Sequence, residues 1–182
     1  MSSNTAAKTP ANTTTKTRMM VQIAMLTAVA EVLMLFDFPL PFAPSFYKID
    51  LSEVPILIGC FAMGPAAGII IEAMKILLNF IISGTVTAGV GELANFAIGC
   101  SMVLPAGLIY RYHKTRKNAV LGMAAGTLVM AAIGGLLNAF VLLPAYAALF
   151  GGMDAIIGMG TAVNKNITSV QSFVLLSVVP FN

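Results

Sequence analysis

The sequence predicts an all-α integral membrane protein. Its 182 residues are 58% hydrophobic and only 9% charged, with a mean hydropathy of +0.92, whereas a soluble domain carries roughly 25% charged residues. Apolar runs of bilayer-spanning length recur along the chain, separated by prolines, glycines and charges. The basic residues fall into short clusters at the ends of those runs, so the net charge of +3 marks membrane topology rather than nucleic-acid binding. The length allows one compact bundle and no second soluble domain. Cys60 and Cys100 both lie in apolar runs without CxxC or metal spacing. They read as buried thiols acting as small hydrophobes.

Residues 1–18 are polar, rich in Thr, Ala and Asn, and read as a disordered cytoplasmic tail ahead of the bundle at 19–182. The first span, 19–36, is about 27 Å long at helical rise. Ala24 and Ala28 form a small-xxx-small pair within it, a flat stripe that another helix can approach closely. Residues 51–80 would make one helix of about 45 Å, too long for an upright span. Gly64-Pro65 divides it into spans at 51–63 and 66–82, with Asp50 or Ser52 available as a cap. Glu72 and Lys75 stand at i, i+3 and can pair on one face, either as a functional site or as a lock on helix packing.

A glycine-rich turn at 83–91 leads to the fourth span, 92–110, where Glu92 suits the helix dipole and Pro105 and Gly107 are expected to kink the end. The fifth span, 119–150, is longer than a bilayer needs and is expected to bend at Pro144. Asn138 lies inside it, where an amide requires a partner. Residues 151–166 read as a looser loop, and 167–182 as a partial last span broken by Pro180.

Between the first two spans, residues 36–55 read FDFPLPFAPSFYKIDLSEVP. Pro39, Pro41 and Pro44 exclude a continuous helix, and five aromatic rings need somewhere to pack. Two readings stand: a stiff lid over a small-molecule pocket, or an interfacial belt at headgroup depth. Lys8, Lys16 and Arg18 precede the first span, and Arg111, Lys114, Arg116 and Lys117 follow the fourth; these seven of ten cations should face the cytoplasm. An even number of spans must then separate the clusters. The break at Gly64-Pro65 supplies it and sends 36–55, 83–91 and 151–166 outward together.

Enzyme readings find little support. There is no GxxxxGK[ST] to hold ATP, no HExxH or GxSxG, and His113 is the sole histidine. No catalytic or metal-binding residue is expected. Glu31 and Glu72 keep an autonomous proton- or ion-coupled carrier open as an alternative, and a non-transporting scaffold is a third class.

FPLPF…KIDLSEVP, GPAAG, GELANF, LPAGLIYRYHKTRK, LLNAF and VVPFN, in that order over 19–182, resemble the substrate-binding S components of energy-coupling-factor (ECF) vitamin transporters, most of all the riboflavin type. The resemblance implies a six-helix bundle in the bacterial plasma membrane, N-terminus cytoplasmic, with no cofactor and with riboflavin or a related flavin as transported ligand. It also implies a transmembrane T component and two cytosolic ATPases as partners. Thiamine, biotin or pantothenate are the alternative vitamins. Ala24 and Ala28 match the family's A-x-x-x-A face toward the T component. Asn138 and Asn182 match ligand asparagines, while the family's following lysine has no counterpart here. Phe38, Leu40, Phe42 and Tyr47 are expected as walls of the flavin site, with Asn95 as a further amide and Lys48 and Asp50 pinning the loop. The sixth helix is expected to be truncated or absent, which would expose Asn138.

Overall fold

In a computed structural model, the structure describes residues 11–39, 48–85 and 89–181. It is helical apart from one short ribbon. Helix α1 (Ala11–Leu35) leads into strands β1 (Phe38–Pro39) and β2 (Lys48–Ile49), followed by α2 (Glu53–Met63), α3 (Pro65–Ser83), α4 (Val90–Tyr112) and α5 (Arg116–Leu137). A π-helical turn π1 (Asn138–Leu142) joins α5 to α6 (Leu143–Phe150), and α7 (Met153–Val163) comes next. The last stretch is α8 (Val170–Phe173), π2 (Val174–Val178) and α9 (Val179–Phe181). Among the described residues, four helices are long and apolar enough to cross a membrane: Thr15–Leu35, Pro65–Ser83, Val90–Tyr112 and Arg116–Leu149.

The break between α2 and α3 has the chemistry the sequence suggested. Gly64 adopts φ 106°, a conformation open to glycine at little cost, and its N–H closes α2 by donating to Cys60 O at 2.8 Å. Pro65 then opens α3 at a position where the missing N–H would have had no helical partner. Thr115 caps α5 by accepting from Asn118 N at 3.3 Å. Pro105 lies inside α4, which runs on to Tyr112.

Three expectations are corrected. Residues 11–18, expected to belong to a disordered tail, are the first turns of α1. Residues 151–166 are not a loop: Met153–Val163 is an α-helix whose Ile156 and Gly160 are buried. Its i, i+4 apolar face packs on the chain's end, with Ile156, Ile167, Phe173, Val178 and Leu143 forming one core. The partial last span is helical over residues 170–181, opened by a Ser169–Ser172 capping box. It packs on α5, where Val174 and Val179 face Gly135. Asn138 is therefore 1% exposed, not laid open.

A second core, of Ala30, Ile56, Cys60, Ile71 and Val103, holds α1 to α4 together. The α4–α5 pair is closer still. A Cβ at Gly122 would stand 2.8 Å from Ala106 O, and one at Gly126 would stand 2.5 Å from Met102 O. These glycines let backbone meet backbone, the packing that associates helices where no hydrophobic force acts between them. Gly126→Ala should therefore lower stability by about 1–3 kcal/mol, because backbone rather than a flexible side chain must move. Thermal unfolding in detergent checks this, with Leu128→Ala on the exposed face expected to leave the midpoint nearly unchanged.

Candidate ligand-binding site

A cavity of about 650 Å³ opens at the end of the bundle where α1 and α3 finish and α2 and α4 begin. That size lies within the range of small-molecule sites. Helical periodicity builds its walls. Asn138, Leu142 and Tyr146 are successive contributions from π1 and α6, Met130 faces it from α5, and Lys75, Asn79 and Ser83 project from α3 at intervals of four. Helix α4 adds Glu92, Asn95, Ile98 and Gly99, while the ribbon adds Asp37, Lys48 and Ile49.

The π-turn falls at Asn138, the amide singled out in the sequence. Its Nδ2 donates to Gly134 O at 2.8 Å, which fixes the side chain against its own helix. Single π-turns inserted in α-helices are frequent at functional sites. Asn95, on the first half of α4, lines the same cavity. The two expected amides therefore line the same space.

Beneath the opening sits a buried ion cluster. Lys75 Nζ donates to Glu53 Oε1 at 3.0 Å and to Ser52 Oγ at 3.2 Å. It also lies 2.9 Å from Glu72 Oε2, an ion-pair distance without hydrogen-bond alignment. Lys75 and Glu72 are 1% and 0% exposed. Two carboxylates thus share one ammonium, and a Cβ at Gly99 would collide with the Glu72 carboxylate. The expected Glu72–Lys75 pair is present. Its partners from α2, Glu53 and Ser52, were missed because nothing local in the sequence brings residues 52–53 to residue 75. Nearby, Asn79 Nδ2 donates to Glu31 Oε1 at 3.4 Å, and Glu31 Oε2 and Thr27 Oγ1 are buried without hydrogen-bond partners.

Phe38 is 62% exposed and is not part of the cavity wall. Neighbouring ribbon residues point to opposite sides, and here Asp37 takes the inner position. Leu40, Phe42, Tyr47 and Asn182 lie outside the described residues. Lys48 pairs with Asp37 at 2.8 Å, so it ties the two ends of the proline-rich segment to each other. Asp50 Oδ1 accepts from Ser52 N at 2.6 Å at the start of α2. Lys48 and Asp50 both line the cavity, so neither is confined to a pinning position outside it. Ala24 and Ala28 are exposed on α1, one turn or two before buried Glu31.

Residues 18–182 match the family described as ECF transporter, substrate-specific component. The chain belongs to this family. The S component is thus a multi-pass membrane protein and a transport subunit, not an enzyme. It is 35% identical over 163 residues to the riboflavin transporter RibU of Staphylococcus aureus (strain TCH60), covering 90% of this chain and 79% of that one. With the riboflavin transporter FmnP of Bacillus subtilis (strain 168) the identity is 38% over 132 residues, covering 72% and 70%. A solved structure described as "Structure and mechanism of the S component of a bacterial ECF transporter" aligns with TM-score 0.67 and 37% identity, over 88% of this chain and 94% of that chain.

The ion cluster of the S component supplies a test of its own. Lys75→Met should destabilise it by about 3–5 kcal/mol, since Glu72 is left buried without its cation. The double change Glu72→Met/Lys75→Met should recover most of that loss. Unfolding midpoints in detergent decide between the two, and a double variant no more stable than Lys75→Met would mean that packing, not charge, sets the effect.

Proposed function

We propose that the chain captures riboflavin at the open end of the bundle and presents it for uptake, with ATP hydrolysed by partner subunits. The observation that carries this reading is the cavity that joins Asn95 and Asn138 with apolar walls from Met130, Ile98 and Leu142, in a chain whose similar proteins are named as riboflavin transporters. A flavin offers a flat apolar ring system with a polar edge of carbonyls and ring nitrogens, and a ribityl chain of hydroxyls. Such a ligand needs aliphatic or aromatic walls and a few placed amides. Asn138 and Asn95 supply donor and acceptor groups for the polar edge. Tyr146, Asn79 and Ser83 add polar groups near the mouth, where the hydroxyls of the ribityl chain can reach. Asp37 and Lys48, on either side of the proline-rich segment, line the cavity, and we assign that segment the role of a lid carrying Leu40, Phe42 and Tyr47.

The open end then faces outward, and the N-terminus and the basic cluster of residues 111–117 face the cytoplasm. Ala24 and Ala28 contact the transmembrane T component, which couples the bundle to two ATPases.

Protein purified in detergent should carry a yellow flavin and should bind added riboflavin in preference to thiamine, biotin and pantothenate. Tight binding of one of those three with none of riboflavin would move the ligand assignment elsewhere in the family. Asn138→Ala should weaken riboflavin binding by about 1–3 kcal/mol, because a buried ligand group loses its partner. Quenching of flavin fluorescence reports the affinity, and an unchanged value in folded protein would take Asn138 out of the site. Ala24→Leu and Ala28→Leu should block assembly with the T component, scored by co-purification, while riboflavin affinity stays at the wild-type value.

A further inference from the structure

A second cavity, of about 360 Å³, lies at the pole opposite the ligand site, in the angle between the α2–α3 hinge and the end of α4. Its charged lining is wholly basic: Arg111 and Lys114 border it, and no carboxylate does. Among the described residues neither cation has an ion-pair or hydrogen-bond partner. The imbalance extends to the whole molecule. Six of its seven acidic residues lie in or against the ligand cavity: Asp37, Asp50, Glu53 and Glu92 line it, Glu72 contacts Lys75, and Glu31 bonds to Asn79. Among the described residues, none lining this second cavity supplies a counter-charge.

The rest of the lining suits the membrane surface. Phe61 and Tyr110 stand together on one wall with ring centroids 4.7 Å apart. Gly64, at φ 106°, leaves open space beside it, since a Cβ there would meet nothing within 4 Å. The outer surfaces of α2 and α4 leading away from the cavity are apolar and exposed, with Ile58, Leu104 and Leu108 at 54%, 38% and 49%. Paired cations, aromatic rings and an adjoining apolar track are complementary to a phosphate group that carries acyl chains. Basic pockets between membrane helices bind anionic headgroups on this principle.

We infer that this cavity is a binding site for the phosphate-bearing headgroup of an anionic phospholipid, held by Arg111 and Lys114, with its acyl chains lying along α2 and α4. Free phosphate shares the headgroup's chemistry but cannot use the apolar track. The site rests on the membrane character of the chain and not on the identity of the vitamin it carries.

The test is native mass spectrometry of the detergent-solubilised full chain, titrated with phosphatidylglycerol, phosphatidylcholine or inorganic phosphate. Phosphatidylglycerol should bind in preference to the other two. A basic residue at an anionic surface contributes about fivefold in affinity, so Arg111→Gln/Lys114→Gln should weaken phosphatidylglycerol binding roughly 25-fold. Arg116→Gln/Lys117→Gln removes the same charge outside the lining and should leave it within about fivefold. Unfolding midpoints confirm that both variants are folded. Equal losses in the two variants would overturn the site in favour of diffuse surface charge. Inorganic phosphate binding as tightly as the lipid would overturn the lipid assignment. So would unchanged lipid binding in Arg111→Gln/Lys114→Gln accompanied by failed assembly with the T component, which would make the cations a protein-docking surface.

Discussion

Lys75 is the constraint around which the bundle is arranged. An ammonium withdrawn from water and lipid must be compensated at once by charge and by hydrogen bonds, and α3 alone offers it only Glu72. The remaining partners, Glu53 and Ser52, come from the start of α2. Gly64 sits eleven residues after Glu53 and eleven before Lys75. The two arms of the hinge are thus clasped about 16 Å from the bend. A glycine with positive φ would otherwise leave the angle between α2 and α3 loosely determined; the clasp sets it. Helix α4 then has to pass the Glu72 carboxylate closely, which only a residue without a side chain permits, and Gly99 occupies that point. The ligand cavity is the space left above this clasp.

The features legible in the sequence are those in which one residue type has one physical use. Gly-Pro in the middle of an apolar run of excessive length must be a break, and Gly64-Pro65 is one. A lone amide in an apolar span must find a partner, and Asn138 does, on its own helix. The Glu72–Lys75 pair followed from helical spacing alone. Pairings that depend on how two helices cross were not legible: Glu53 with Lys75, or Asn79 with Glu31, join residues 22 and 48 positions apart. Residues 151–166 misled because glycines and polar residues suggested a loop, while buried Ile156 and Gly160 show a face made for packing. The Gly122–Gly126 pair carried the same small-residue spacing as Ala24–Ala28 and was passed over, although it marks the intimate α4–α5 contact.

Charge is distributed along the long axis of the bundle with little mixing. Six of the seven acidic residues gather round the ligand cavity, where Lys48 and Lys75 hold part of them in pairs, and at the opposite pole Arg111 and Lys114 border a cavity whose lining, among the described residues, holds no carboxylate. The polar work at the two ends is therefore different in kind. Around the ligand cavity, Lys48 and Lys75 pair with Asp37, Glu53 and Glu72, and the amides of Asn95 and Asn138 line the same space. At the other end the cations are left for whatever lies outside the protein.

The wide turn at Asn138–Leu142 sets the rotational phase of everything that follows it. A π-turn accommodates one residue beyond the α-helical repeat, and one residue corresponds to about 100° about the helix axis. Were the chain a residue shorter there, α6 would be turned by that angle relative to α5. Tyr146 would swing away from the cavity, and Leu143 would leave the core it shares with Ile156, Ile167, Phe173 and Val178. A single extra residue thus brings two otherwise incompatible half-helices into phase, one aligned to the glycine seam with α4 and the other to the C-terminal core.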